Sequence, residues 1–156
     1  MTLRLKIPPP VWLLIFGALM WGVDRAAPIT ALIGKPANRL GWIFVACGAS
    51  VIATAMLQFR RARTTVNPLT PAKASSLVTS GIFGYSRNPM YLGLLLVLAG
   101  WAIVLGSLGP WIALPLFVLV ITKMQIEPEE AVLSVLFGGP YRAYCARVGR
   151  WFGRKG

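Results

Sequence analysis

Residues 111–130 read WIALPLFVLVITKMQIEPEE, an apolar run of near bilayer-crossing length closed by three carboxylates in four positions. The whole chain has four acidic residues, and the remaining one, Asp24, stands alone. Carboxylates at the end of an apolar run are costly unless water, cations or a ligand compensates them. Two readings are open at this point. In one, a new helix starts here, with Pro128 at its first position and glutamates in its first turn, where the helix dipole favours them. In the other, Glu127, Glu129 and Glu130 mark a functional site in a chain of formal charge +12.

The rest of the chain has the same character. Of 156 residues, 56% are hydrophobic and 13% charged, and the mean hydropathy is +0.68. A soluble domain carries about a quarter charged residues, so the composition describes an all-α integral membrane protein of one domain, residues 1–156. Four apolar segments stand out. Residues 11–23 carry Trp12 and Trp21 near their ends; 40–59 hold no charge; 89–105 are bracketed by Tyr91 and Trp101; 111–126 hold only Lys123, close enough to the end to snorkel. The turn at 107–110 folds the last two into a helical hairpin. The expected spans are about 9–24, 40–59, 89–106 and 110–126. A cleavable signal peptide ending at Ala26-Ala27 is the rival for the first segment. The two tryptophans, as interface anchors, and the charges Asp24 and Arg25 argue for a span instead. Two cysteines without any histidine exclude the usual zinc sites, and the lack of histidine removes the commonest general base.

Arg60, Arg61, Arg63, Lys73 and Arg87 fall in the loop 60–88, and Arg142, Arg147, Arg150, Arg154 and Lys155 in the tail. By the positive-inside rule the loop, the tail 127–152 and both termini are cytoplasmic, in the inner membrane of a prokaryote or the endoplasmic reticulum of a eukaryote. Basic residues that flank spans are a topology signal rather than a nucleic-acid footprint. In the tail, residues 129–137 suit two turns of helix, stopped by Gly138-Gly139, with Pro140 opening another. On a wheel Tyr141, Tyr144, Cys145, Val148 and Trp151 share one side and Arg142, Arg147 and Arg150 the other, the pattern of an interfacial amphipathic helix.

The loop before the third segment is the other dense region. Arg87 and Asn88 offer a forked cation and an amide, and Pro89 starts a helix whose free N–H groups attract anions.

Taken in order, TSGIFGYSRNPMYLG (79–93), an apolar hairpin, Glu129-Glu130-Ala131-Val132-Leu133, Phe137-Gly138, Tyr141, Tyr144 and Arg150-Trp151 resemble the isoprenylcysteine carboxyl methyltransferase family, a pattern the related phospholipid methyltransferases share. The likeness covers about half the chain, from Thr64 on, and the first two spans add only hydrophobicity to it. Asn88 stands where many members have His, and Gly153 where members often have Pro.

The resemblance implies a membrane-embedded methyltransferase using S-adenosylmethionine, which enters from the cytosol, with a lipid or small apolar acceptor reached from the bilayer. Methyl transfer from a sulfonium is an in-line displacement that needs alignment, exclusion of water and charge balance, and no metal. The residues carried over as catalytic are Glu129, Glu130 and Arg87. Those carried over as cofactor-binding are Arg87, Asn88, Pro89, Met90, Tyr91, Glu129, Phe137, Tyr141 and Tyr144. A carboxylate acceptor needs no base; an amine or thiol acceptor needs Glu129 or Glu130 in that role. Glu129 shares a helix face with Leu133 and Leu136, so it is expected to turn inward and to need a compensating partner, with Arg87 and the bound cofactor the nearest cations. Glu130 shares the more polar face with Ser134 and Phe137. Two other classes remain: a membrane reductase with a nicotinamide cofactor, and a non-enzymatic membrane protein in which the glutamates are caps.

Overall fold

The computed structural model describes residues 7–26, 30–62 and 76–153. Arg63, Lys73, Arg154, Lys155, Ala27 and the start of the matching stretch at Thr64 lie outside these residues. Among the described residues the regular secondary structure is helical, with isolated bridge positions at Ala31, paired with Ser107, and at Val148. The helices are α1 (Pro9–Ala26), α2 (Gly41–Arg61), α3 (Pro89–Leu105), α4 (Ala113–Ile121) and α5 (Glu127–Arg147). Two helical stretches are long and apolar enough to cross a membrane: Ala37–Arg61, of mean hydropathy 2.0, and Gly109–Arg147, of mean hydropathy 1.5. Pro89–Leu105 is apolar but shorter.

The tightest packing is between α2 and α3, and glycines cause it. Gly41 and Gly48 on α2 meet Gly100 and Gly93 on α3, and on each helix the two glycines are seven residues apart. A Cβ at Gly48 would lie 2.5 Å from the Gly93 carbonyl oxygen, and one at Gly41 would lie 2.4 Å from that of Gly100. The backbones therefore approach to a distance that no larger residue permits, as small residues allow in apolar surroundings where hydrophobic burial no longer drives association. Fully buried Ala55 extends the same row one heptad further on α2. The second apolar segment thus does more than add hydrophobicity. Its outward side, with Trp42, Ile43, Phe44, Met56 and Leu57 exposed, is apolar all round, as suits a helix in lipid.

α1 closes the bundle by burying Phe16 and Met20. The Phe16 ring meets Phe117 of α4 edge-on at 5.3 Å, and Trp101 of α3 donates from Nε1 to the Gly17 carbonyl. At the turn between α3 and α4, the Gly106 carbonyl accepts from Leu32 and Ile33, and the Ser107 hydroxyl donates to Asp24. The lone acid of the first half is therefore paired at the end of the hairpin.

The last stretch corrects the capping reading. Helix does not begin at Glu127. Backbone in the right-handed helical region runs unbroken from α4 through a π-helical turn, Thr122–Ile126, into α5. Pro128 sits inside this helix, where it removes one ladder hydrogen bond and crowds the preceding turn. The wider π turn just upstream absorbs both effects. With their amides inside a continuing helix, the glutamates face no exposed first turn and do not serve as caps. Gln125 of the π turn is fully buried and donates to the Ile7 carbonyl, tying the approach to α1 to this turn. α5 then breaks at Gly138, with φ 53° and ψ −119°, and resumes before Tyr141.

The glycine contacts give two substitutions of identical chemistry with opposite expected signs. Gly48→Ala forces the α2 and α3 backbones apart and is expected to cost about 1–3 kcal/mol. Gly17→Ala meets nothing within 4 Å and is expected to gain up to about 1 kcal/mol from helix propensity. Thermal unfolding in detergent checks both, and an unchanged midpoint for Gly48→Ala would contradict the close approach.

Candidate functional site

The three carboxylates of the 127–130 segment are each compensated in a different way. Glu127 accepts from Lys123, one turn earlier, at 2.8 Å, and lies 4.0 Å from Arg150. Glu129 turns inward, and its Oε1 accepts from the Tyr91 hydroxyl at 2.6 Å. Glu130 carries the charged centre. Its Oε1 lies 3.0 Å from Arg87 Nη1 and accepts from Arg150 Nε at 3.1 Å, while its Oε2 accepts from Arg150 Nη2 at 2.6 Å.

Two expectations are corrected here. Arg87 pairs with Glu130, not with Glu129: the inward carboxyl finds a neutral hydroxyl on α3, which avoids placing an ion pair among apolar side chains. Arg150 is not on the outward arginine face. α5 ends at Arg147, the chain turns back, and Arg150 reaches Glu130, while Arg142 and Arg147 stay exposed. The apolar side of this last helix packs on protein, with Tyr141, Tyr144 and Val148 buried against Leu77, Leu133 and Phe137.

The loop before α3 and the tail are laced together. Arg87 N donates to the Gly149 carbonyl at 3.1 Å, Asn88 Nδ2 to the Arg150 carbonyl at 3.0 Å, and Gly153 N to the Tyr85 carbonyl at 2.9 Å. A proline at 153, lacking the N–H, would lose the last of these bonds. Asn88, buried at the start of α3, therefore spends its amide on the tail rather than on a ligand. Tyr144 likewise spends its hydroxyl, donating to the Phe83 carbonyl at 2.7 Å.

A cavity of about 430 Å³ opens beside this centre, within the range of small-molecule sites. Of the residues expected from the sequence, it brings together Arg87, Glu130 and Tyr141. Asn88, Pro89, Met90, Tyr91, Glu129, Phe137 and Tyr144 do not line it; Pro89 and Tyr91 are buried in the packing and Met90 is half-buried. It adds Glu127, of the carboxylate cluster though not of the carried-over set, and three residues that the motif reading passed over, Ser134, Arg142 and Cys145. The missing signal was helical spacing: 127, 130, 131 and 134 lie on one face of α5, as do 141, 142 and 145.

The electrostatics follow from burial and pairing. Burial, above all, pushes the Glu129 carboxyl from an ordinary 4.5 up to about 8; the Tyr91 hydrogen bond opposes this and the Glu130 charge adds to it. Burial raises the Tyr141 and Tyr144 hydroxyls, so both stay neutral donors. The Glu130 hydrogen bonds raise Arg150 further. Arg87 donates from Nη1 to the Cys145 sulfur at 2.7 Å, yet its buried Nε has no hydrogen-bond partner among the described residues. A buried guanidinium N–H without an acceptor is costly on its own.

Residues 37–139 match the family model for phospholipid methyltransferases. That match starts before α2 and so includes the glycine-packed pair of helices, ahead of the Thr64 boundary of the sequence likeness. An uncharacterized protein of Haemophilus influenzae is 45% identical over 62 residues, 40% of this chain and 98% of that protein. The protein-S-isoprenylcysteine O-methyltransferase of Schizosaccharomyces pombe is 32% identical over 108 residues, 67% of this chain and 44% of that enzyme. The match thus spans less than half the length of the S. pombe enzyme. No solved structure matches the chain.

The raised Glu129 sets a pH dependence. The folded state keeps this proton up to about pH 8, whereas the unfolded chain releases it near 4.5. Stability from this group is therefore full below pH 4.5 and is lost progressively as pH rises to about 8. Glu129→Gln, neutral at every pH, is expected to flatten the profile of thermal midpoint against pH across that window. A Gln variant with the same slope as the parent would place the titration elsewhere.

Proposed function

Because this chain belongs to the phospholipid methyltransferase family, we propose that it takes a methyl group from S-adenosylmethionine and passes it to a lipidic or small apolar acceptor reached from the bilayer. The observation that carries this reading is the cavity beside Glu130. Arg87, Glu127, Glu130 and Tyr141 line it, a guanidinium, two carboxylates and a phenol within one small space. A zwitterionic amino-acid head needs both signs of charge, and an adenine or a sulfonium is well served by an aromatic face. S-Adenosylmethionine supplies an activated methyl group. In this reading Arg87 binds its carboxylate, Glu127 and Glu130 face its ammonium, and Tyr141 walls the space. A nicotinamide dinucleotide would bring phosphates against Glu127 and Glu130, which makes the reductase reading the weaker one.

Glu130 is a counter-ion rather than a base. It accepts two hydrogen bonds from Arg150 and pairs with Arg87, so two cations hold it ionised, and Glu129 stands off the cavity behind Tyr91. The acceptor is accordingly one that needs no base from the protein, such as a carboxylate. Glu129 acts through α3, holding the helix that starts beside Arg87.

We place the chain in the membrane as a single domain of four spans, at about residues 9–24, 40–59, 89–106 and 110–126. The loop 60–88, the tail and both termini are cytoplasmic, so that the cofactor enters from the cytosol. Lys73→Cys, in a background without Cys47 and Cys145, is expected to react with an impermeant maleimide only from the cytoplasmic side. Labelling only from outside would overturn this topology.

The direct test uses detergent-purified protein. Labelled methyl transfer into a total lipid extract, and saturable binding of S-adenosylmethionine but not of NADPH, are the expected results. Binding of NADPH alone would favour the reductase, and binding of neither a non-enzymatic protein. Arg87→Ala is expected to weaken cofactor binding by about 1.5–3 kcal/mol, the contribution of a charge-assisted contact. Parent-like binding would reduce Arg87 to a topology determinant.

A further inference from the structure

We propose that Arg150 is a positioning residue for the cofactor site, acting through Glu130 to keep Arg87 available. This rests on the cavity being the S-adenosylmethionine site. Arg150 does not itself line the cavity. Its guanidinium grips Glu130 along one edge, Nε on Oε1 at 3.1 Å and Nη2 on Oε2 at 2.6 Å. That grip fixes the plane of the carboxylate and leaves Arg87 a single end-on contact, Nη1 to Oε1 at 3.0 Å. A free carboxylate beside a guanidinium turns to accept two parallel N–H bonds, the stronger arrangement. Without Arg150, Glu130 would do this to Arg87 and occupy the donors that an incoming anion needs. The second Nη of Arg87 is thus kept open by competition: the tail arginine holds the carboxylate that would otherwise turn side-on across both Nη groups.

The backbone is arranged for this. Arg150 is delivered to the site by the lacing of 149–153 onto 85–88, in which the Asn88 amide holds the Arg150 carbonyl at 3.0 Å. Asn88 acts in the same sense, one step further from the cavity. A guanidinium is required, because a lysine ammonium supplies the charge but not the fork.

The test is a binding cycle with S-adenosylmethionine, read by calorimetry on detergent-purified parent, Arg150→Gln, Arg150→Lys, Glu130→Gln and the Arg150→Gln/Glu130→Gln pair, with thermal midpoints for each. The expected result is a loss of about tenfold or more for Arg150→Gln in the parent, a smaller loss for Arg150→Lys, and less than twofold for Arg150→Gln in the Glu130→Gln background. A merely structural arginine would weaken binding and lower the midpoint equally in both backgrounds, and that outcome overturns the assignment. So does parent-like binding by Arg150→Gln. If Arg150→Gln does not fold, Arg150→Lys is read in the same two backgrounds by the same criterion. A folded parent that binds no S-adenosylmethionine overturns the proposed function and this assignment together, whereas a parent that binds confines any failure to Arg150.

Discussion

A helix that leaves an apolar bundle carrying three carboxylates must find a partner for each of them, and the architecture at the charged end is the solution to that requirement. Glu127 is served within its own helix by Lys123. Glu129 is served across the bundle by a hydroxyl from α3, with burial favouring its neutral form. Glu130 is served by cations from two directions, the front of α3 and the returning tail. The loop before α3, the end of α5 and the turn at 149–153 converge because each brings a group that one of these carboxylates needs. A site with both charge signs is what remains at their meeting point.

The bundle underneath depends on a different constraint. α2 and α3 are held at backbone contact by two glycine pairs, which makes α3 a fixed post. Tyr91 stands in the first turn of that post and Arg87 just before it. Arg87 is thereby held at a fixed place relative to α2, while Glu130 is brought to it by α5 and the returning tail. Rigid supports of this kind keep a charged constellation at its working geometry.

Much of this was legible in the sequence, and the misses have physical causes. Apolar runs showed the helices, and the Arg87, Glu129 and Glu130 motifs pointed to the charged end of the bundle, because composition and short motifs are local signals. Gly138-Gly139 announced the break in α5. What failed was long-range. The heptad spacing of Gly41 and Gly48 has meaning only beside Gly100 and Gly93, some fifty residues away. Arg150 looked like an outward arginine because a helical wheel assumes that the helix continues, and α5 ends at Arg147. Pro128 looked like the start of a helix because nothing in the sequence marks the π turn that lets a helix carry a proline through.

That π turn has a consequence for heredity as well as for shape. A π turn holds one more residue than an α turn over the same axial advance, so every residue after Ile126 is offset by one wheel position, about 100°. Wound as plain α-helix, the same chain would aim Glu129 along the direction that Glu130 now takes toward Arg87. The offset amounts to a frame setting: one residue's worth of phase decides which of two adjacent, chemically identical side chains meets the Tyr91 hydroxyl and which meets the two arginines. A deletion of a single residue within 122–126 would then be nearly silent in geometry, because it removes the bulge and restores the phase. An Ala in place of Pro128, which takes away the reason for the bulge while keeping the length, would turn Glu129 toward Arg87, swing Glu130 about 100° further round, and leave Tyr91 without its carboxylate.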